Sequence, residues 1–160
     1  MGMKVYVIMG VHNTRKSSTI RSLTGVAKQS VYNVALEDGK EIPILIFPQA
    51  LQEGKISPDE FIKEVKNQLK NKKFETILIA LRLTGIKKCL NGIDYLETFK
   101  NEKWEIAEPL VLLGKLLRKK DKENLKKMEE HSLKIYRIEE SFKMASNKIA
   151  SKIRELWGWM

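Results

Sequence analysis

A chain of 160 residues and 18.5 kDa is the size of one domain, here taken as residues 1–160, and can bury a core without disulfides or metals. An apolar fraction of 42% argues against a disordered chain. One cysteine, Cys89, excludes an internal disulfide framework and fits a reducing, cytoplasmic home; with only two histidines, His12 and His131, a zinc site is not expected. No run of about 18 uncharged apolar residues exists, so no membrane span is expected. The net charge is +10, and residues 114–160 supply +6 of it, from 13 basic and 7 acidic side chains. That basic third suits polyanions, although a solvated Lys/Glu surface has the same composition.

Val5–Met9 is a short apolar run ending at Gly10 and reads as a buried strand, not as a signal peptide. Residues 16–24 read as a helix stopped by Gly25. Val31–Leu36 and Ile42–Phe47 are two strands joined by Asp38-Gly39, a hairpin signal. Pro43 lacks an N–H, so the second strand is expected to begin at an edge. Ser57-Pro58-Asp59-Glu60 is a capping box ahead of a helix whose apolar face is Phe61, Ile62, Val65 and Leu69.

Thr76–Leu81 is apolar on both faces, as a covered parallel strand must be. Residues 89–101 read as a helix with Leu90, Ile93, Leu96 and Phe99 on one side. Pro109–Leu113 is another buried run, and 115–130 a basic helix. Leu133–Ile138 alternates as a strand does. A last helix is expected from near Ser141, with Phe142, Ala145, Ile149, Ile153 and Leu156 in a stripe. At least one of Trp157 and Trp159 is expected to pack back on the core, the other to serve as a partner contact. Strand–helix alternation predicts an α/β fold, a three-layer sandwich around a mostly parallel sheet with one antiparallel edge strand from the early hairpin. Ligands on such sheets bind beyond the carboxyl ends of the strands.

The residues with the clearest chemistry follow the first strand: Gly10-Val11-His12-Asn13-Thr14-Arg15-Lys16-Ser17. The phosphate-binding pattern is G-x-x-x-x-G-K-[ST], and only its second glycine is replaced, by Arg15. Backbone N–H groups of such a loop curl around phosphate, Lys16 offers a point charge, and Ser17 a hydroxyl for Mg²⁺. The helix N-terminus adds its own free N–H groups. The candidate nucleotide-binding residues are therefore Gly10, Val11, His12, Asn13, Thr14, Arg15, Lys16, Ser17 and Ser18, with Ser17 as the metal contact.

Asn13-Thr14-Arg15-Lys16-Ser17-Ser18-Thr19-Ile20-Arg21-Ser22-Leu23-Thr24-Gly25 resembles the phosphate-loop and first-helix stretch of Ras-like and translation-factor-type GTPases of the P-loop NTPase superfamily. Those read N-x-G-K-S-S, then apolar residues and L-T-G. The order of elements along the chain is similar too, while the motif match covers residues 4–25. The resemblance implies binding of a nucleoside triphosphate, ATP or GTP, with Mg²⁺, and gives Gly10, Lys16 and Ser17 the phosphate and metal roles.

Elsewhere the chain departs from the family. Phe47-Pro48-Gln49-Ala50 stands where D-x-x-G is expected, and Leu113-Gly114-Lys115-Leu116-Leu117 where N-K-x-D reads guanine. Gln52-Glu53 resembles the water-positioning region, and Glu53 and Asp59 are the nearest acidic candidates for a metal. Arg15 reads two ways: its Cβ crowds the loop and weakens binding, the preferred reading, or its guanidinium grips a phosphate. His12 is read as a filler of a free loop position. Arg82, at a strand end, is a candidate charge-stabilising arginine.

Lys115, Arg118, Lys119 and Lys120 form the densest basic patch, without interleaved aromatics for base stacking. The leading expectation is a nucleotide-binding domain with a degenerate site, weak or non-hydrolysing, that acts through binding or a partner. Two alternatives stay open. One is an active small NTPase or kinase with a basic lid at 115–127. The other is a nucleic-acid-associated protein, or one meeting a protein partner, through the basic C-terminal third.

Overall fold

In a computed structural model, which describes residues 3–11, 15–86, 90–114, 117–130, 135–139 and 141–160, the apolar runs pair into one seven-stranded sheet. The strands are β1 (Lys4–Gly10), β2 (Ser30–Ala35), β3 (Glu41–Ala50), β4 (Thr76–Arg82), β5 (Glu105–Ile106), β6 (Leu110–Leu112) and β7 (Tyr136–Ile138). Their order in space is β2-β3-β4-β1-β6-β7, with β5 also on β1. Every pairing is parallel except the β2–β3 hairpin, so the antiparallel edge strand is where Asp38-Gly39 put it.

The helices are α1 (Lys16–Thr24), α2 (Pro58–Gln68), α3 (Gly92–Asn101), α4 (Lys119–Glu130) and α5 (Ser146–Trp157), with a 3₁₀ turn at Ser141–Lys143. They form layers on both faces of the sheet. Side chains alternate along a strand, so β1 sends Val5, Val7 and Met9 to one core and Tyr6 and Ile8 to the other. The first core is closed by Phe61 of α2, Leu96 and Phe99 of α3, and Leu125 and Met128 of α4. The second is closed by Ile20 and Leu23 of α1 and Ile149 and Ile153 of α5.

Local signals explain the helix ends. Ser57 accepts the Glu60 N–H and Glu60 accepts the Ser57 N–H, both at 3.2 Å, with Pro58 in the first turn. Gly25 takes a left-handed φ of 78° and its N–H closes α1 on the Arg21 carbonyl at 2.7 Å.

Several boundaries differ from the sequence reading. Pro43 lies inside β3, opposite Asn33, one residue before the pairing with β4 begins at Ile44; its missing N–H therefore interrupts no bond to β4. The third helix begins at Gly92, because Asp94 accepts the Asn91 N–H at 2.9 Å; Leu90 precedes it and is 47% exposed. The expected helix start at Ser141 is a 3₁₀ turn, and Ala145 is the N-cap of α5. Strand β5 had no signal of its own, being two residues long. Trp157 and Trp159 both pack against Tyr6, at 4.7 and 5.0 Å between ring centroids, so neither is left as a free aromatic. Cys89, Lys87, Lys88, Leu116 and residues 131–134 lie outside the described residues.

Candidate functional site

The carboxyl ends of β1, β4 and β6 meet at one edge, where Gly10 is in register with both Arg82 and Leu112. The chain leaves β1 at Val11 and re-enters regular structure at Arg15. His12, Asn13 and Thr14, three of the candidate loop residues, lie outside the described residues. Arg15 is the N-cap of α1 with φ 62° and ψ 34°, the left-handed conformation that a glycine adopts freely. For an arginine that conformation costs about 1–2 kcal/mol. Its guanidinium donates to the Met144 carbonyl at 2.8 Å, so here the side chain ties the start of α1 to the start of α5. Ser17 is half-buried and Ser18 exposed in the first turn, and the Arg15 side chain makes no capping bond to the N–H groups there.

Lys16 is the unusual residue of this turn. It is 7% exposed, and its ammonium folds back to donate to the Val11 carbonyl at 3.2 Å. Burial lowers its pKa from 10.5 to about 8; the Glu53 carboxylate opposes that fall and the Arg82 guanidinium adds to it. Lys16, Glu53 and Arg82, far apart in sequence, are therefore electrostatic neighbours.

Next to Val11 lies a cleft of ≈ 550 Å³. Arg82 and Thr84 form one wall, and Arg118, Lys119 and Lys120 the other. A buried polar cluster holds the two walls together. Thr84 Oγ1 donates to Asp121 Oδ1 at 2.6 Å, and Asn124 Nδ2 donates to Thr84 Oγ1 at 2.9 Å. Asp121 Oδ2 accepts the Arg118 N–H at 3.1 Å, capping the start of α4. Arg82 Nε donates to the Thr84 carbonyl at 3.3 Å. Arg118, Lys119 and Lys120 of the basic patch thus share this cleft with Val11, while Lys115 lies outside the described residues.

Thr84, Asp121 and Asn124 were not singled out from the sequence. Asp121 had a signal: it is the one acid in the basic run, three residues after Arg118, at capping spacing. Gln52 is 1% exposed, and its amide spans the end of β4: Oε1 accepts the Arg82 N–H at 2.9 Å and Nε2 donates to the Arg82 carbonyl at 2.9 Å. That pairing builds Gln52 into the sheet edge. Asp59 is exposed in the first turn of α2.

The described side chains near this turn gather no carboxylate set for a divalent cation. Phe47-Pro48-Gln49-Ala50 is the end of β3, which β4 separates from β1, and β4 itself ends in Arg82. Among the described residues no group of three or more His, Cys, Asp and Glu side chains gathers as metal ligands. Glu53 faces Lys16, and both oxygens of Asp121 are already bonded. No described helix is long and apolar enough to cross a membrane. Comparisons with protein-family models, curated proteins and solved structures return no match.

Proposed function

We propose that the chain binds a nucleoside triphosphate at the turn between β1 and α1, as a degenerate P-loop domain that works by binding and not by turnover. The observation that carries this reading is Lys16: a buried ammonium at the first turn of a helix, folded onto the backbone of the preceding loop beside a cationic cleft. A buried, partly desolvated cation attracts phosphate far more strongly than a surface lysine. Arg15 takes the left-handed conformation that a glycine there would adopt freely, and its side chain does not cap the first turn of α1, which supports N–H groups free for phosphate oxygens. In this reading Ser17 meets the phosphates at the same turn.

Arg118, Lys119 and Lys120 share a cleft with Val11, which supports reading the basic stretch and the turn after β1 as parts of one site. A concave site of this volume fits a small anion better than it tracks a nucleic-acid backbone. Hydrolysis needs an oriented water, and the glutamine nearest the site has its amide bonded across the end of β4. Calorimetric titration with ATP and with GTP tests the reading. Micromolar binding that Lys16→Met lowers at least about ten-fold supports it; no binding of either nucleotide refutes it. A preference for one base would identify the purine, for which Leu113-Gly114 supplies no Asn or Asp.

A further inference from the structure

Resting on that reading, we infer that the triphosphate is bound as the metal-free anion, with the chain's own cations standing where Mg²⁺ would. Lys16 is bonded to the Val11 carbonyl, and Val11 lines the cleft together with Arg118, Lys119 and Lys120. Arg82 links them, since it lines the cleft and its charge is felt at Lys16. Among the described residues, Glu53 and Asp121 stand against these five cations, an excess of three positive charges.

A free nucleoside triphosphate carries about four negative charges near neutral pH, and its magnesium complex about two. The excess of three lies midway between the two, so the choice rests on the metal itself, which would enter a cleft lined by Arg82, Arg118, Lys119 and Lys120 with Asp121 as its one acid among the described residues. Self-repulsion within the cluster, seen in the effect of Arg82 on Lys16, is relieved by an anion and made worse by an added cation. Asp121 does not reverse this, because both its oxygens are bonded, to Thr84 and to the Arg118 N–H.

The test is a calorimetric titration of the full chain with ATP and GTP at fixed ionic strength, in EDTA and in saturating Mg²⁺. The expected result is binding in EDTA at least as tight as in Mg²⁺. Tightening by Mg²⁺ of about ten-fold or more overturns the inference while leaving the nucleotide reading intact. Absence of binding in both buffers overturns the nucleotide reading itself, and this inference with it.

A variant carrying Arg118→Gln, Lys119→Gln and Lys120→Gln gives a second arm. All three side chains are exposed, and the backbone bond from Arg118 to Asp121 remains, so the fold is retained. Its affinity in EDTA should fall about ten- to hundred-fold, and by less in Mg²⁺, because the metal then replaces the lost charge. An equal loss in both buffers refutes the replacement of metal by these side chains.

Discussion

Replacing Lys16 with methionine exchanges a buried ammonium for an uncharged chain of similar length. Folding moves the Lys16 pKa from 10.5 to about 8, and that difference is worth about 3 kcal/mol against the folded state at neutral pH. The bond to the Val11 carbonyl returns about 1 kcal/mol. Lys16→Met should therefore stabilise the protein by about 2 kcal/mol at pH 7. Between about pH 8 and 10.5 the unfolded chain holds more protons than the folded one, so unfolding takes up protons and wild-type stability rises with pH across that window. Below about pH 8 the penalty is present in full; the variant has none at any pH. Its advantage should be lost between pH 7 and pH 10.

Urea unfolding at both pH values, followed by tryptophan fluorescence, measures this directly. A variant less stable than wild type at pH 7, or a difference that does not change with pH, would refute the assignment of Lys16 as a desolvated cation. The same linkage acts on binding: a phosphate beside Lys16 favours its charged form, so nucleotide affinity should fall as pH rises above about 8.

Three further outcomes follow from the geometry. Thr84→Val leaves Asp121 and Asn124 buried without their shared partner, and should cost about 1–3 kcal/mol in urea unfolding; a neutral result would mean that the cluster does not dock α4. Gly92→Ala places a Cβ 2.6 Å from Met9 Cε and 2.8 Å from the Arg82 carbonyl, and the latter is backbone that cannot swing aside, so a loss of about 1–3 kcal/mol is expected by the same assay. Arg15→Gly and Arg15→Ala both remove the bond to Met144, but only glycine relieves the left-handed strain; the glycine variant should be the more stable by about 1 kcal/mol, and equal stabilities would place the strain elsewhere.

Most of the elements were legible along the chain because their causes are local. The apolar runs of β1, β4 and β6 are buried on both faces, and such runs announce themselves. The α2 capping box and the glycine stop of α1 are satisfied by neighbours within four residues, so their sequence patterns suffice. Order within the sheet was not legible: placing β4 between β3 and β1 depends on which faces pack, a contest among contacts distant in sequence. The start of α3 at Gly92 depends on a glycine small enough to meet Met9 and the Arg82 carbonyl.

The site divides along the same line. Lys16, Arg15 and the basic patch are nameable from composition and spacing. That Lys16 is buried, that Arg82 and Glu53 act on it, and that Arg118, Lys119 and Lys120 share a cleft with Val11 are consequences of the tertiary structure alone. Thr84, Asp121 and Asn124 come from two segments nearly forty residues apart, and their hydrogen bonds exist only after the sheet has brought the end of β4 to the start of α4. Charge and turn chemistry are carried by single residues and their neighbours. Desolvation and electrostatic neighbourhood depend on what the whole fold places around them.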